Sequence, residues 1–253
     1  MLIRPLIYKL MKKRIYLILL SISAIFFSCK DNNEFVEQLF TNKEISAALK
    51  QCIDSTAFRT CNVLCVVDSS LIPTLGYSHY DSKSYRLELP LAAKKVIDTL
   101  KQYGFDTNID TLLINNINHA AELCGNDLIR QFWRVISDTV VFQNPNAVFR
   151  GGDNALTNFL KQTIQTEFIN VLVNNILLEQ FKELQIITTW NELQKEYYDK
   201  TGNYSTIDIL TPTAQQMVAG FFRKMALEEE AIRKDPAKRG NPKSLLYRVF
   251  ATL

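Results

Sequence analysis

The loop Arg150-Gly151-Gly152-Asp153 sets a guanidinium and a carboxylate on either side of two glycines. Glycines let a ligand approach the main chain closely. The N-terminus of the helix that follows would offer free N–H groups to an anion. The same residues also join two helices tightly, with a glycine as C-cap and Asp153 as N-cap. This connector reading takes precedence over ligand binding, because the turn chemistry suffices by itself. Glu228-Glu229-Glu230 is the second place where chemistry is conceivable. At about 100° per residue, Glu230 points outward, Glu228 lies at the edge of an apolar stripe, and Glu229 falls inside it between Met225 and Ile232. A carboxylate in that position must pair or shift its pKa. The expectation is a structural ion pair with an arginine such as Arg130, Arg134 or Arg150; a general base is the alternative.

Other chemistry is thin. Apart from Cys29, the cysteines are Cys52, Cys61, Cys65 and Cys124. Cys61 and Cys65 lie i,i+4 on one helical face, a poor spacing for an unstrained disulfide. A bridge from either to Cys124 is conceivable in an oxidising envelope, but buried free thiols are the expected state. A zinc site would need His79 or His119 added to the Cys61/Cys65 pair, and the spacing matches no zinc pattern. No metal or cofactor is expected. The chain lacks a G-x-S-x-G elbow, a P-loop, an H-E-x-x-H pair and a dinucleotide fingerprint. Its two histidines, on unrelated elements, leave little room for imidazole acid–base work.

The N-terminal stretch speaks to address rather than to chemistry. Met11-Lys12-Lys13-Arg14 is a positive n-region, and Ile15 to Phe27 an apolar h-region of signal-peptide length. The run ends Phe26-Phe27-Ser28-Cys29, which resembles a bacterial lipoprotein box with Cys29 as the lipidated mature N-terminus. The apolar run, broken at Ser21, falls short of the roughly 20 residues needed to span a bilayer. A diacylglyceryl group plus an N-acyl chain such as palmitate exceeds the two signals that suffice for stable anchoring. The expected division is therefore a signal peptide over 1–28, a lipidated N-terminus and tether over 29–40, and a helical domain over 41–253. The start at Met1 or Met11 stays open. The expected location is the cell envelope, at the outer membrane, with its periplasmic or surface face open.

Composition narrows the partners. Residues 1–28 hold five of the 29 basic residues and none of the 26 acidic ones, so the mature chain carries a net charge near −2. No basic patch supports nucleic-acid binding. Few glycines and prolines, eight and seven, argue against a turn-rich β-sandwich.

The elements that must position these residues read as helices. Thr41 and Glu44 form a capping box, followed by a stripe of Ile45, Leu49, Cys52, Ile53 and Ala57. Residues 69–85 lose periodicity and read as a long loop, and Tyr85 to Leu89 is the one stretch that alternates like a strand. Pro90 starts a helix that ends at Gly104. The next runs from Asn108 to Leu123 with Ile109, Leu112, Leu113, Ala120 and Leu123 on one stripe, which places Asn116 in its middle as a buried amide. Phe168 to Leu178 is apolar on nearly every side, as expected of a helix central to a bundle. Thr211-Pro212 opens the last long helix, with Val218, Phe221, Phe222 and Met225 on its stripe, and Asn241-Pro242 opens a terminal one. The expected fold is all-α, a single-domain multi-helix bundle.

Several of these stretches together resemble the family called domain of unknown function 4197: Asn42 to Lys50 (NKEISAALK), Glu88-Leu89-Pro90 with a helix ending Tyr103-Gly104-Phe105, Gly151-Gly152-Asp153 with Ala155, and Glu228 to Arg233 leading to Val249-Phe250. Their order holds across about residues 42–250. Arg150 departs from the polar uncharged residue expected there. The resemblance implies a helical, exported or lipid-anchored bacterial protein and implies no activity.

The leading functional expectation is a non-catalytic, lipid-anchored module that binds an envelope protein or a small amphiphile. A carboxylate-dependent hydrolase or transferase using Asp153 and Glu229 is one alternative, and a structural scaffold another. A deep pocket lined by Asp153, Glu229 and an arginine would favour the enzyme. An apolar groove between helices would favour an amphiphile carrier, and a large exposed patch a protein partner.

Overall fold

A computed structural model describes residues 40–67, 75–80 and 82–253. The stretch read as a signal peptide, residues 1–28, and Cys29 lie outside the described residues. The protein is all-α, with no strand among the described residues.

Helix α1 (Asn42–Leu64) begins at the capping box read from the sequence: Thr41 Oγ1 accepts from the Glu44 N–H, and the Glu44 carboxylate accepts from the Thr41 N–H at 2.9 Å. All five residues of its expected stripe are buried, and Ala48, Cys61 and Leu64 extend the buried surface around the helix. Such wide burial makes α1 a central element, packed against the penultimate and terminal helices.

After α2 (Leu91–Gln102) and α3 (Ile109–Leu123) comes an unbroken helical run, α4, over residues 125–139, whose middle turn Leu128–Trp133 is π-helical. Then come α5 (Pro145–Phe149) and α6, residues 155–183, with a second π-turn at Leu172–Ile176. Helices α7 (Ile186–Thr201), α8 (Leu210–Lys234) and α9 (Leu245–Phe250) complete the chain. Thr211-Pro212 sits inside the first turn of α8, where Asp208 Oδ1 accepts from the Leu210 N–H at 2.8 Å. The terminal helix starts three residues after Asn241-Pro242, capped by Ser244.

An aromatic cluster fills the core where α4, α6 and α8 meet. Trp133 stacks on Phe221 at 5.1 Å, Phe132 stacks on Phe168 at 4.4 Å, and Phe168 meets Phe221 edge-on at 5.4 Å. Each such burial stabilises the fold by about 1.5–3 kcal/mol, with the ring geometry adding to it.

Two expectations are corrected. The stripe of α3 is rotated: Leu113, Ile117, Ala120 and Ala121 are buried, whereas Leu112 and Asn116 are exposed. The buried amide is Asn118. Its side chain accepts from the Leu87 N–H and donates to the Leu87 carbonyl, both at 2.9 Å. Residues 86–89 do not form a strand, although Leu87 and Leu89 are buried in alternation. Gln216 of α8 treats Glu88 as Asn118 treats Leu87, accepting from its N–H at 3.0 Å and donating to its carbonyl at 2.9 Å. Two side-chain amides thus replace the neighbouring strands that an extended backbone otherwise needs.

Candidate functional site

The junction around Arg150-Gly151-Gly152-Asp153 is built from α5, α6 and α8. Glu229 is fully buried, and four donors converge on its carboxylate. They are the N–H groups of Leu156 and Thr157 at 2.9 and 2.7 Å, the Thr157 hydroxyl at 2.7 Å and Arg233 Nε at 2.8 Å. Glu229 therefore caps the first turn of α6 from a different helix, complementing the positive end of its dipole. Arg233 turns its remaining nitrogens to the carbonyls of Phe149 and Val148, at 2.7 and 3.1 Å, and so satisfies the end of α5. Arg239 repeats the device at the end of α8, donating to the Ile232 and Arg233 carbonyls.

The ion-pair partner of Glu229 is thus Arg233, one turn along the same helix, and not Arg130, Arg134 or Arg150. Asp153 does not cap α6; it is exposed and pairs with Lys234 at 2.6 Å. The cap position belongs to Asn154, whose side chain makes no capping bond. Neither Gly151 nor Gly152 adopts a positive φ. Gly151 is required by contact instead: a Cβ there would come within 2.5 Å of the Ala155 Cβ and 3.1 Å of the Ala147 carbonyl, while a Cβ at Gly152 would meet nothing. Arg150 is exposed beside this joint.

A different place has a buried polar group without a partner among the described residues. Between α1 and α4 lies a groove of about 540 Å³, within the ~300–1,000 Å³ range of small-molecule sites. Asp54, Ser55, Ala57 and Phe58 line it from α1, and Ile129, Trp133, Arg134, Ser137 and Asp138 from α4. The π-turn places Trp133 at this wall, and such turns recur at functional sites. Three buried side-chain atoms lack a hydrogen-bond partner among the described residues: Arg59 Nη1, Thr60 Oγ1 and Trp133 Nε1. Of the three residues, Trp133 alone lines the groove. Burial pushes the Asp54 carboxyl above the ordinary carboxylate range; a Ser137 hydrogen bond opposes the rise, and neighbouring Asp138 adds to it. Phe58 stands at the same groove with half of its surface exposed (53%).

A second cleft, about 630 Å³, lies between α7 and the loop before α8 and includes the ring pair Tyr198–Tyr204. Its polar groups are largely engaged: Gln194 Oε1 accepts from Ser205 and from the Ile207 N–H, and Lys195 pairs with Asp199. Neither cleft is lined by Asp153 or Glu229.

The family described as "Protein of unknown function (DUF4197)" matches residues 40–251. The chain belongs to DUF4197. No curated protein and no solved structure matches it. The match spans both the Glu229 junction and the Asp54–Trp133 groove of this DUF4197 chain.

The cysteines of the DUF4197 domain are free thiols. Cys52, Cys61 and Cys124 are buried and Cys65 is half-buried at the end of α1. Burial pushes the Cys52 and Cys124 thiols up, and a bond to Cys61 does the same for Cys65, which suits packing rather than nucleophilic attack. No group of three or more His, Cys, Asp or Glu among the described residues could hold a metal. Beside the thiols, Glu122 is buried and its Oε1 accepts from the Ser78 N–H at 2.9 Å. A Cβ at Gly76 would lie 2.5 Å from the same oxygen, and Gly76 also has a φ of +88°, so this turn admits only glycine. Glu122 was not singled out in the sequence, where it reads as one more acid on a helix.

Proposed function

We propose that this DUF4197 chain is a non-catalytic, lipid-anchored binding module of the cell envelope, held at the outer membrane through Cys29, with its ligand seated in the Asp54–Trp133 groove. The observation that carries the binding reading is the buried Trp133 indole N–H, which has no hydrogen-bond partner among the described residues and lies at the wall of a groove whose exposed rim carries Asp54, Arg134 and Asp138. Buried polar groups are otherwise almost always partnered. The anchoring reading is supported by the Lys12-Lys13-Arg14 n-region, the apolar run and Ser28-Cys29.

A catalytic role for Glu229 and Asp153 is poorly supported by their surroundings. Glu229 holds two helix-terminal N–H groups, a hydroxyl and a guanidinium, and has no free face for substrate. Asp153 is engaged by Lys234.

The test is native mass spectrometry of the full chain, exported in a bacterial host and extracted in mild detergent. The expected spectrum carries a lipid adduct that disappears in Cys29→Ser, and a second, non-covalent mass that disappears in Ser55→Trp, which fills the groove. A full-length chain without any adduct would overturn the anchor. A non-covalent mass unaffected by Ser55→Trp would overturn the groove.

A further inference from the structure

We infer that the basic face formed along α1 by Lys238, Lys243 and Arg248 lies against an anionic phospholipid surface and sets how the anchored domain sits on its membrane. The inference rests on the anchor reading above and adds a second contact with the same membrane. Charge in this domain is unevenly placed. Residues 233–248 hold six basic residues and one acid, whereas the rest of the mature chain holds eighteen basic and twenty-five acidic residues. A segment opposite in sign to its own domain points to an anionic partner.

The fold sorts those six cations. Arg233 and Arg239 turn inward to main-chain carbonyls, and Lys234 pairs with Asp153 and Glu230. Lys238, Lys243 and Arg248 stay exposed and make no ion pair among the described residues. They are strung along one side of α1. The Lys238 carbonyl accepts from Arg59 Nη2, the Leu246 N–H donates to Gln51, and the Arg248 guanidinium lies 5.7 Å from the centre of the Phe40 ring. The segment thus runs back beside α1 toward the point where the tether enters the domain, and exposed Lys43 stands in the first turn there. Of the acids nearby, Glu44 and Asp235 cap their own helical turns, and Glu228 pairs with Lys224.

Cys29 is eleven residues from Phe40, a span of at most about 40 Å at full extension. A lipid at Cys29 therefore keeps this end of α1 within reach of the headgroups, where each exposed cation strengthens the hold on anionic lipid. Neither cleft is lined by the three cations. A row of separate charges with no pocket among them suits a surface of many equivalent phosphates better than one discrete anion.

The test is amine footprinting of the wild-type chain, exported, lipid-modified and inserted from detergent into two kinds of vesicle. One is phosphatidylcholine alone, the other equal parts phosphatidylcholine and phosphatidylglycerol. Acylation of each lysine is read by mass spectrometry, with exposed Lys182 and Lys200 as internal controls. In the anionic vesicles Lys238 and Lys243 should react about fivefold more slowly than in the neutral ones, while the controls react alike in both. Salt raised to about 1 M, where the screening length falls to about 3 Å, should restore the rates. The double variant Lys243→Glu, Arg248→Glu should do the same at Lys238. Equal protection in both vesicles would assign the face to the tether's own acids, Asp31, Glu34 and Glu37, and overturn the lipid contact. Rates at Lys238 and Lys243 that match the controls in anionic vesicles would overturn it as well. Protection confined to vesicles made from whole envelopes would give the face to another anionic partner instead. Failure of the anchor reading shows separately, as a chain with no lipid adduct on Cys29.

Discussion

The Glu229 junction and the Asp54–Trp133 groove are both places where charged side chains from different helices converge, and they differ in one respect. At the junction, each carboxylate oxygen of Glu229 has two donors within 3 Å, and all three guanidinium nitrogens of Arg233 have acceptors. At the groove, the buried Trp133 indole N–H has no partner among the described residues, and the charged side chains of Asp54, Arg134 and Asp138 are exposed. Satisfied buried charge holds a fold together, because removing one partner strands the other. A buried polar group without a partner costs stability, by about 1–3 kcal/mol. The most conspicuous motif of the sequence is thus architecture, and the unpartnered indole lies among residues that no motif marks.

The largest effect should come from stranding Arg233. Glu229→Ala is expected to cost about 3–5 kcal/mol, a fall in Tm on the order of 10 °C for a domain of this size. Asp54→Asn should stay within about 0.5 kcal/mol, as surface changes do. Urea denaturation of the two variants checks both, and equal losses would break the contrast between junction and groove. Next in size is the glycine pair. Gly151→Ala, whose new methyl meets Ala155 and the Ala147 carbonyl, should lose about 1–3 kcal/mol. Gly152→Ala, facing open space, should change little, and a reversed order would show that the joint closes differently.

The smallest effect is a pH dependence. Burial raises the Glu122 carboxyl above its ordinary value of 4.5, with Ser78 and the two histidines opposing the rise. The folded state therefore holds the proton to higher pH than the unfolded chain does. Stability should fall as pH rises from about 4.5 through the raised value, then level off. Glu122→Gln should flatten that fall while keeping the acceptor for the Ser78 N–H. An unchanged profile in thermal melts from pH 4 to 7 would assign the dependence to other groups.

Local rules carried much of the fold. The capping box at Thr41, the stripe of α1 and the apolar run at Phe168 are each written within a few residues, and each is where the periodicity puts it. Asn118 was missed because the α3 stripe was read one residue out of phase, an error of about 100° that exchanges a buried amide for an exposed one. The strand-like reading of residues 85–89 registered real alternation in burial, but the partners that satisfy this backbone are single amides on helices 31 and 128 residues away. The pairing of Glu229 with Arg233 was legible as an i,i+4 spacing on one buried face. The groove was not, since Asp54, Phe58 and Trp133 come together only when α1 meets the π-turn of α4.

The central place of α1 has a consequence for how the chain is made. Its buried surface is closed by α8 and α9, and Gln51 accepts from the Leu246 N–H at 2.8 Å, so the first of the described helices to leave the ribosome is sealed by the last of them. A chain made N-terminus first leaves Gln51 without Leu246 until 195 further residues have been added, and until then the apolar faces of α1 are open to misassembly. Removing α9 would therefore uncover α1 rather than trim a dispensable tail.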